Sequence, residues 1–272
     1  MKLVDALGRE HVPVAAGAPV RIVSLVPSIT ELLCELGLAP VLAGRTGFCI
    51  HPSEIVKAIS KVGGTKSVNI ERIRQLAPTH LVVNIDENEK PTVDVLAEFV
   101  PHVIVTHPNA PRDCLDLYRL LGGIFGVMPA ARTLEARFEA EYAALRAMPP
   151  GAPRTVLYCI WKDPWMTVAR DTYIARMLAE IGWTCCEVPG NAQRYPVFEW
   201  DQVIGTIDGV LLSSEPYRFG EADVQALQRE IGKPVWLVDG EMMSWYGSRA
   251  IAGLRYLRAL REMCEAGEGF RP

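Results

Sequence analysis

Short apolar runs alternate with helical apolar patterns along this chain, and this alternation limits its fold more than any other feature of the sequence. Each run has the length of a β-strand, and each is followed by a segment whose apolar residues recur at helical spacing. The clearest strand and helix pairs are 21–25 with 28–36, 80–83 with 91–99, 155–159 with 173–181, and 209–212 with 221–231. Such alternation predicts an α/β protein whose parallel sheets carry helices on their faces.

The first helix carries a signal for its own start. Ser28 and Glu31 have the S-x-x-E spacing of a capping box, in which Ser28 is the N-cap residue. Pro27 restricts Val26 to an extended backbone. We therefore expect a strand-to-helix turn with free backbone N–H groups at residues 24–28.

A helical region without any strand pattern separates two groups of strands. It runs from the strand that ends near Thr106 to the one that starts at Thr155, and it contains two apolar stripes. Turn-forming residues at 148–153 close it. We expect three segments: an N-terminal α/β lobe at residues 1–110, a helical connector at 111–150 and a C-terminal α/β lobe at 151–272.

The two lobes share an internal sequence repeat. Residues 69–84 and 199–214 align without a gap, and in each copy a short helix leads into a buried strand. Glu71 and Asp201 occupy matching positions in the first turn of that helix, where the helix dipole favours an anion. Acidic capping alone would explain either residue, but their equivalence favours a symmetric pair of surface contacts.

Composition and motifs exclude several classes of function. The formal net charge is −4 with acids and bases evenly scattered, so the chain lacks an electrostatic footprint for nucleic acid or an anionic membrane. It contains no run of 18 apolar residues, so membrane insertion is not expected. Motifs of serine hydrolases, zinc peptidases and phosphate-binding loops do not occur. The seven cysteines form no C-x-x-C motif, which predicts free or buried thiols. We expect a monomer that is not an enzyme.

Three parts of the sequence carry a resemblance to a known family. RIVSLVPSITELLCELGL at residues 21–38, VGGTKSVNIERIRQLAPTHLVV at 62–83 and the tryptophan-rich segments of the C-terminal lobe match its pattern in order and spacing. The chain resembles the ABC-transporter solute-binding proteins with a helical backbone, specifically the vitamin B12-binding branch and its iron-siderophore relatives. The resemblance covers nearly the whole chain. It does not name the ligand, because binders of corrinoids, haem and siderophores share these motifs.

The resemblance implies the class III periplasmic-binding-protein fold, in which two Rossmann-like lobes with parallel sheets are bridged by a long backbone helix. That helix would span residues 129–148. The ligand, a corrinoid or alternatively a ferric siderophore or haem, would bind non-covalently in the cleft between the lobes for an ABC importer. In this family one acidic residue on each lobe docks onto the membrane permease, and these positions fall on Glu71 and Asp201.

The resemblance also implies a periplasmic location. The first twenty residues argue against an export signal, because Asp5, Arg9, Glu10 and His11 interrupt the apolar core that a signal peptide needs. A cytoplasmic location is therefore the alternative. In that case the docking role of the two acidic residues becomes doubtful.

The ligand-binding residues are expected in loops at the carboxyl ends of parallel strands, where aromatic faces and a few polar groups can hold a large chelate. By resemblance, three positions line the corrinoid pocket of the family: Phe48, Thr65 and Tyr195. Loop position adds four aromatic candidates: Trp161, Trp165, Trp245 and Tyr246. The loops at 84–90 and 213–219 add further candidates that could also be solvated or capping residues: Asn84, Asp86, Glu87, Asn88, Glu215, Tyr217 and Arg218.

Three further residues each have two interpretations. Cys49 and His51 could contact the ligand, with His51 as an axial ligand of a cobalt corrinoid, or His51 could cap the helix after Pro52. The same pair could serve an enzyme or an intracellular cofactor-handling protein, although no third orienting group is evident. Two residues are too few for a closed metal site, so no metal held by the protein alone is expected. Arg249 either caps the C-terminal helix or points towards carboxylates of a chelate.

Overall fold

The computed structural model describes residues 2–266, and within that range it contains a two-stranded sheet and two five-stranded sheets. The strands are β1 Leu3–Val4, β2 Glu10–His11, β3 Ile22–Ser24, β4 Leu42–Arg45, β5 Ser60–Lys61, β6 His80–Asn84, β7 His102–Thr106, β8 Arg154–Trp161, β9 Met166–Thr167, β10 Trp183–Cys185, β11 Gly209–Ser213 and β12 Val235–Val238. The helices are α1 Pro27–Glu35, α2 Ser53–Val56, α3 Ile70–Leu76, α4 Lys90–Ala97, α5 Asp113–Ile124, α6 Met128–Arg146, α7 Tyr173–Ala179, α8 Trp200–Val203, α9 Glu221–Ile231, α10 Gly240–Ser244 and α11 Arg249–Ala266, with a short 3-10 helix at Ala39–Val41.

The chain divides into two compact units. Of the described residues, the first comprises 2–108 together with Arg112–Phe138 and Tyr246–Arg249. The second comprises Asn109–Pro111, Glu139–Trp245 and residues 250–266. The division passes inside α6, after Phe138, so each unit contains part of this long helix.

The two large sheets share a parallel core order, in which β4-β3-β6-β7 of the first unit corresponds to β10-β8-β11-β12 of the second. In the first unit the order is β5-β4-β3-β6-β7, and in the second it is β10-β8-β11-β12. In each unit the first strand of the parallel set, β3 or β8, has the second strand, β4 or β10, on one side and β6 or β11 on the other, a doubly wound arrangement. The second sheet adds β9, which pairs antiparallel with β8. The predicted parallel sheets are therefore present in each unit.

Each sheet has its own hydrophobic core. The strands β3, β6 and β11 are buried along their whole length, and β8 is buried over its middle, as expected for parallel strands that are covered on both faces. In the first unit the core includes Val23, Leu81 and Leu96. In the second it includes Leu157 and Leu212. Strand-length apolar runs in the sequence thus correspond to buried central strands.

The N-terminal hairpin covers the free edge of β7. The backbone N–H of Ala6 donates to the carbonyl of Val105 at 2.9 Å, and the Asp5 carboxylate accepts from the N–H of Val105 at 3.2 Å. An uncovered edge strand would offer these groups to another chain, so the hairpin protects the sheet from edge-to-edge pairing.

The capping box predicted at the start of α1 is wrong. The helix begins at Pro27, its N-cap residue is Val26, and no side chain caps it. Ser28 therefore lies inside the first turn. The Glu31 carboxylate is bonded instead to the guanidinium of Arg249, at 2.6 and 2.8 Å. The Glu31 carboxylate therefore binds Arg249, 218 positions away in the chain, in place of the backbone N–H groups at the helix start.

The internal repeat is confirmed in the structure. The N-cap residues of α3 and α8 are Asn69 and Glu199, which are matched in the alignment, and Glu71 and Asp201 lie in the first turns of these helices. The Asn69 side chain accepts from the N–H of Arg72, whereas Glu199 forms a reciprocal capping box. Each helix then leads into a strand that pairs with the first strand of its parallel set, β6 with β3 and β11 with β8.

All seven cysteines lie in the described part of the chain and all are free, as expected from their number and spacing. Among residues 2–266 no helix has both the length and the apolar character needed to cross a membrane.

Candidate functional site

In the first unit, three large apolar side chains are exposed in loops at the carboxyl ends of the strands. Phe48 and Ile50 follow β4, and Ile85 follows β6. Phe48 is 62% exposed, which is unusual for a phenylalanine beside a buried core. Apolar groups that meet water at this edge of a parallel sheet are typical of a ligand surface. We call these three residues the first aromatic edge.

The loop that carries Phe48 is held by its neighbours. The N–H of Gly47 donates to the carbonyl of Gly63 at 2.7 Å. Gly63 has a φ of 108°, and a side chain there would collide with the Ser67 carbonyl, so only glycine fits. The Asn88 amide donates to the carbonyl of Thr65 at 3.0 Å. Phe48 is therefore presented from a fixed loop.

Two of the polar residues expected to contact a ligand in this unit are structural. Asn84 and Asn88 are both buried. Asn84 accepts from the N–H of Asp86 at 2.8 Å, while its own N–H donates to the Asn88 side chain at 2.9 Å. Asn88 also donates to the Leu25 carbonyl at 3.2 Å. These amides fold the loop after β6, so their assignment to ligand contact is corrected.

The expected ligand role of Cys49 is also corrected. Cys49 is fully buried, and its thiol lies 3.1 Å from the hydroxyl groups of Thr30 and Thr46. Burial raises the pKa of this thiol, although the two hydroxyl groups partly oppose the shift. A neutral, buried thiol is neither a soft metal ligand nor a nucleophile.

His51 is half-buried in the same loop. The N-cap residue of α2 is Pro52, so the predicted capping role of His51 is wrong. Its role as an axial ligand stays a prediction. No group of three or more metal-binding side chains occurs in the part of the chain that the structure describes.

Three other candidates in the first unit bond to one another or to α1. The Tyr246 hydroxyl donates to Glu87 at 2.5 Å. Burial, and then the Glu87 carboxylate, raises the pKa of Tyr246 well above its ordinary value, so it remains a donor. Arg249 forms the ion pair with Glu31, and both side chains are mostly buried. The expectation that Arg249 points towards a chelate is therefore corrected. The Glu87 carboxylate already accepts a hydrogen bond from the Tyr246 hydroxyl.

The second unit has an exposed aromatic surface of its own. Trp161 ends β8 and is 40% exposed, Tyr195 is 37% exposed, and Val197 beside it is exposed as well. The Trp161 ring meets Tyr217 edge-on at 5.5 Å between centroids. We call these residues, Trp161, Tyr195, Val197 and Tyr217, the second aromatic edge.

Trp165 lies behind this surface in a cluster of rings. It stacks on Phe219 at 5.8 Å and contacts Trp200 edge-on at 5.1 Å. Tyr217 continues the cluster, with its centroid 4.5 Å from that of Phe219. The cluster fixes the Trp161 and Tyr217 rings, and Trp165 has mainly a packing role in it.

Glu215 and Trp245, both predicted to contact the ligand, bond to each other. The indole N–H of Trp245 donates to Glu215 at 2.9 Å, and the Ser244 hydroxyl donates to the same oxygen at 3.0 Å. Burial raises the pKa of Glu215, against the effect of these two donors. Trp245 is itself buried, so its assignment to direct ligand contact is corrected. Arg218 is exposed.

Sequence reasoning missed the exposed aliphatic residues Ile50, Ile85 and Val197. A signal existed for two of them: Ile50 lies two positions after Phe48, and Val197 lies two positions after Tyr195. In extended segments such residues share a face. The aromatic candidates therefore pointed to aliphatic neighbours that were not considered.

The two acidic residues of the repeat are both exposed but differ in surroundings. Glu71 lies 3.7 Å from Arg74 in the next turn of α3. Arg74 is held over the ring of Phe99 at 4.0 Å. Asp201 is exposed at the start of α8. Their assignment to permease docking stays a prediction.

Comparison with known proteins gives consistent matches. The family described as periplasmic binding protein matches residues 22–196. An uncharacterized ABC transporter substrate-binding lipoprotein of Bacillus subtilis strain 168 is 25% identical over 258 residues, covering 88% of this chain and 79% of the relative. A vitamin B12-binding protein of Vibrio vulnificus is 26% identical over 190 residues, covering 69% of this chain and 68% of the relative.

A solved structure extends the likeness to the fold. The periplasmic haem-binding protein of Roseiflexus sp. RS-1, in its apo form, superposes with a TM-score of 0.70 at 21% identity. The superposition covers 90% of this chain and 99% of that one. At this identity the likeness concerns the fold alone.

Proposed function

Because the chain belongs to the periplasmic binding protein family, we propose that it captures a corrinoid and presents it to the permease of an ABC importer. A member of this family binds a solute and does not transform it. The enzyme built on Cys49 and His51 is therefore set aside. The corrinoid is cargo, held without a covalent bond.

The exposed aromatic edges carry this proposal. Phe48 in the first unit and Trp161 in the second expose aromatic rings at strand ends, where α/β proteins bind ligands, and Tyr195 exposes its ring in the loop between β10 and α8. A corrinoid has broad apolar faces, and burying them against aromatic rings is favourable. Tyr217 lies beside Trp161 and offers a hydroxyl group for its rim, and Thr65 is proposed to offer another. Each edge is proposed to contact the ligand.

The choice of a corrinoid rests on a relative named as a vitamin B12-binding protein, which aligns with more than two thirds of this chain. Haem is the second candidate, because the fold superposes on a haem-binding protein over nine tenths of its length. Ferric siderophores complete the set of ligands to be tested. The location proposed for this chain is periplasmic, because the proteins it resembles include a substrate-binding lipoprotein and a periplasmic protein.

Glu71 and Asp201 are proposed to dock onto the permease. Both are exposed and both occupy the first turn of equivalent helices in the two units. Replacing them, as Glu71→Gln with Asp201→Asn, should abolish ligand-stimulated ATP hydrolysis by the reconstituted importer and leave ligand affinity unchanged. Glu98→Gln is the matched control, because Glu98 is an exposed acid outside the repeat. Normal stimulation with the double variant would contradict the docking role.

Tryptophan fluorescence tests ligand binding directly, because all six tryptophans lie at positions 161–245 of the second unit. Titration with cobalamin, cobinamide, haem and a ferric siderophore should give saturable quenching for at least one ligand. Phe48→Ala should raise the Kd of that ligand about tenfold, because losing the aromatic contact costs about 1.4 kcal/mol of binding free energy. Val95→Ala is the control, because Val95 is exposed on α4, away from the strand ends. Equal affinity for the two variants would contradict the role of the first aromatic edge.

The axial role of His51 is tested separately. Hydroxocobalamin bound to the wild type should show a visible spectrum that changes in His51→Ala, because imidazole and water differ as cobalt ligands. An identical spectrum for the two proteins would exclude axial coordination without affecting the rest of the proposal.

A further inference from the structure

The second unit contains a cavity that none of the predicted site residues lines. Its volume is about 660 Å³, within the range of small-molecule sites. One wall is the segment 169–171, which leads into α7. The other is the loop that follows β10, residues 186–193, together with Pro196. Because this loop continues into Tyr195 and Val197, the cavity adjoins the second aromatic edge along the chain.

The charges around the cavity cancel. Arg170 lies 3.4 Å from Glu187, and both residues line the cavity. Asp171, the third charged residue of the lining, lies 3.1 Å from Arg194. Two positive and two negative groups are therefore paired. A ligand group with a net charge gains little here, because attraction to one member of a pair is offset by repulsion from the other.

The uncharged polar groups of the lining are carboxamides. Asn191 accepts from the N–H of Gln193 at 3.1 Å and donates weakly to the Val197 carbonyl at 3.4 Å. Gln193 is exposed at the cavity rim, and its carboxamide offers two donors and an acceptor. Val188, Pro189 and Pro196 supply the apolar part of the wall. Carboxamides beside apolar walls are complementary to a neutral amide or hydroxyl group on a short carbon chain.

We propose that this cavity is a subsite for a neutral group that carries an amide or a hydroxyl. The group is either an appendage of the captured chelate or a separate small molecule. The first case rests on the proposed function, and it favours a corrinoid, whose rim bears neutral amides, over a ligand whose rim bears carboxylates. The subsite itself does not depend on the identity of the chelate.

Propionamide and propionate are the direct probes, because they share a carbon skeleton and differ in charge. In nitrogen-15 NMR spectra, propionamide should shift the backbone signals of Gly190 and Gln193 and the side-chain amide of Asn191. Propionate should not. The double variant Asn191→Ala with Gln193→Ala should raise the Kd of propionamide about tenfold. Gln225→Ala, on exposed α9, is the control. Equal shifts from both probes, or shifts from neither, would overturn the proposal.

A charge variant provides a gain-of-binding test that partial unfolding cannot imitate. Glu187→Gln leaves Arg170 without its carboxylate partner. The variant should bind propionate at least about tenfold more tightly than the wild type does, because the Arg170 guanidinium then has no carboxylate of the protein to compete with the ligand. Failure to acquire propionate would contradict the argument from charge balance and overturn the assignment to neutral groups.

Competition with cobalamin distinguishes the two sources of the group. If cobalamin binds and displaces propionamide, the subsite holds an appendage of the chelate. Simultaneous binding of both would assign the subsite to a separate small molecule. If cobalamin does not bind at all, the corrinoid function fails, and the propionamide experiment still decides the subsite on its own.

Discussion

The ion pair between Glu31 and Arg249 gives the sharpest prediction about stability. Replacing Arg249 by methionine keeps the apolar stem and removes the guanidinium. In the native protein the two side chains are only 14% and 11% exposed, and they share two hydrogen bonds of 2.6 and 2.8 Å. The variant Arg249→Met would therefore leave the Glu31 carboxylate largely buried without its partner.

The expected cost is about 3 kcal/mol in the free energy of unfolding. Breaking a buried pair by removing one partner costs ~3–5 kcal/mol, and the residual exposure of this pair places it at the lower end. Replacing Glu31 by glutamine in the same protein should recover part of that cost, because an amide is less costly to bury than a carboxylate. The coupling energy of the double-mutant cycle should then exceed about 1 kcal/mol.

The assay must report on the first unit, which contains no tryptophan, since all six lie at 161–245. Hydrogen exchange of α1 amides, measured by mass spectrometry, reports the opening free energy of that helix. The control is Arg137→Met, which removes the ion pair between Arg137 of α6 and Glu35 of α1. That pair is far more exposed, so its loss should cost under about 1 kcal/mol. Equal costs for the two arginine variants would refute the argument from burial.

Three further predictions concern other buried groups. Burial and nearby histidines lower the pKa of His80 to about 4. As the pH falls from about 6.5 to 4, the unfolded chain is therefore protonated at this histidine before the native protein is. The urea midpoint of the wild type should fall over that window, and the midpoint of His80→Asn should fall less. An unchanged pH dependence in the variant would contradict this. Native Cys49 should stay unmodified by iodoacetamide, as read by peptide mass spectrometry, because its thiol is buried; rapid labelling would mean an accessible loop. Gly240→Ala should lower the free energy of unfolding in urea by about 1–3 kcal/mol, because the added methyl group overlaps Ser213 and Glu215. An unchanged free energy of unfolding would show that these neighbours can move to make room for it.

Much of the fold could be predicted because local patterns and buried strands coincide. The segment 221–231 was predicted as a helix and forms α9 with the same bounds. The backbone helix was expected at 129–148 and spans Met128–Arg146. The class III fold and the family are both confirmed. In these segments the apolar period and the tertiary packing require the same structure.

The site was less predictable, because several of its contacts join residues far apart in the chain. Tyr246 and Glu87 are 159 positions apart, and no local pattern indicates that one donates to the other. The same holds for Arg249, which begins α11 as its sequence indicates and also pairs with Glu31 of α1, 218 positions away. Cys49 shows a further limit, since one polarizable residue in a loop carries no period from which its burial could be inferred. Exposed aromatic residues could be predicted in two ways: Trp161 from its type and loop position, and Phe48 from the family resemblance.

The most direct test of the central claim is an equilibrium titration of the purified protein with cobalamin, followed by tryptophan fluorescence and by the thermal unfolding midpoint. Saturable quenching is expected, together with stabilisation of about 2.7 kcal/mol at a ligand concentration one hundred times the Kd. Trp161→Phe should reduce the quenching while the midpoint still rises. If cobalamin, cobinamide, haem and a ferric siderophore all leave both signals unchanged, the assignment of this protein to metal-chelate capture is contradicted.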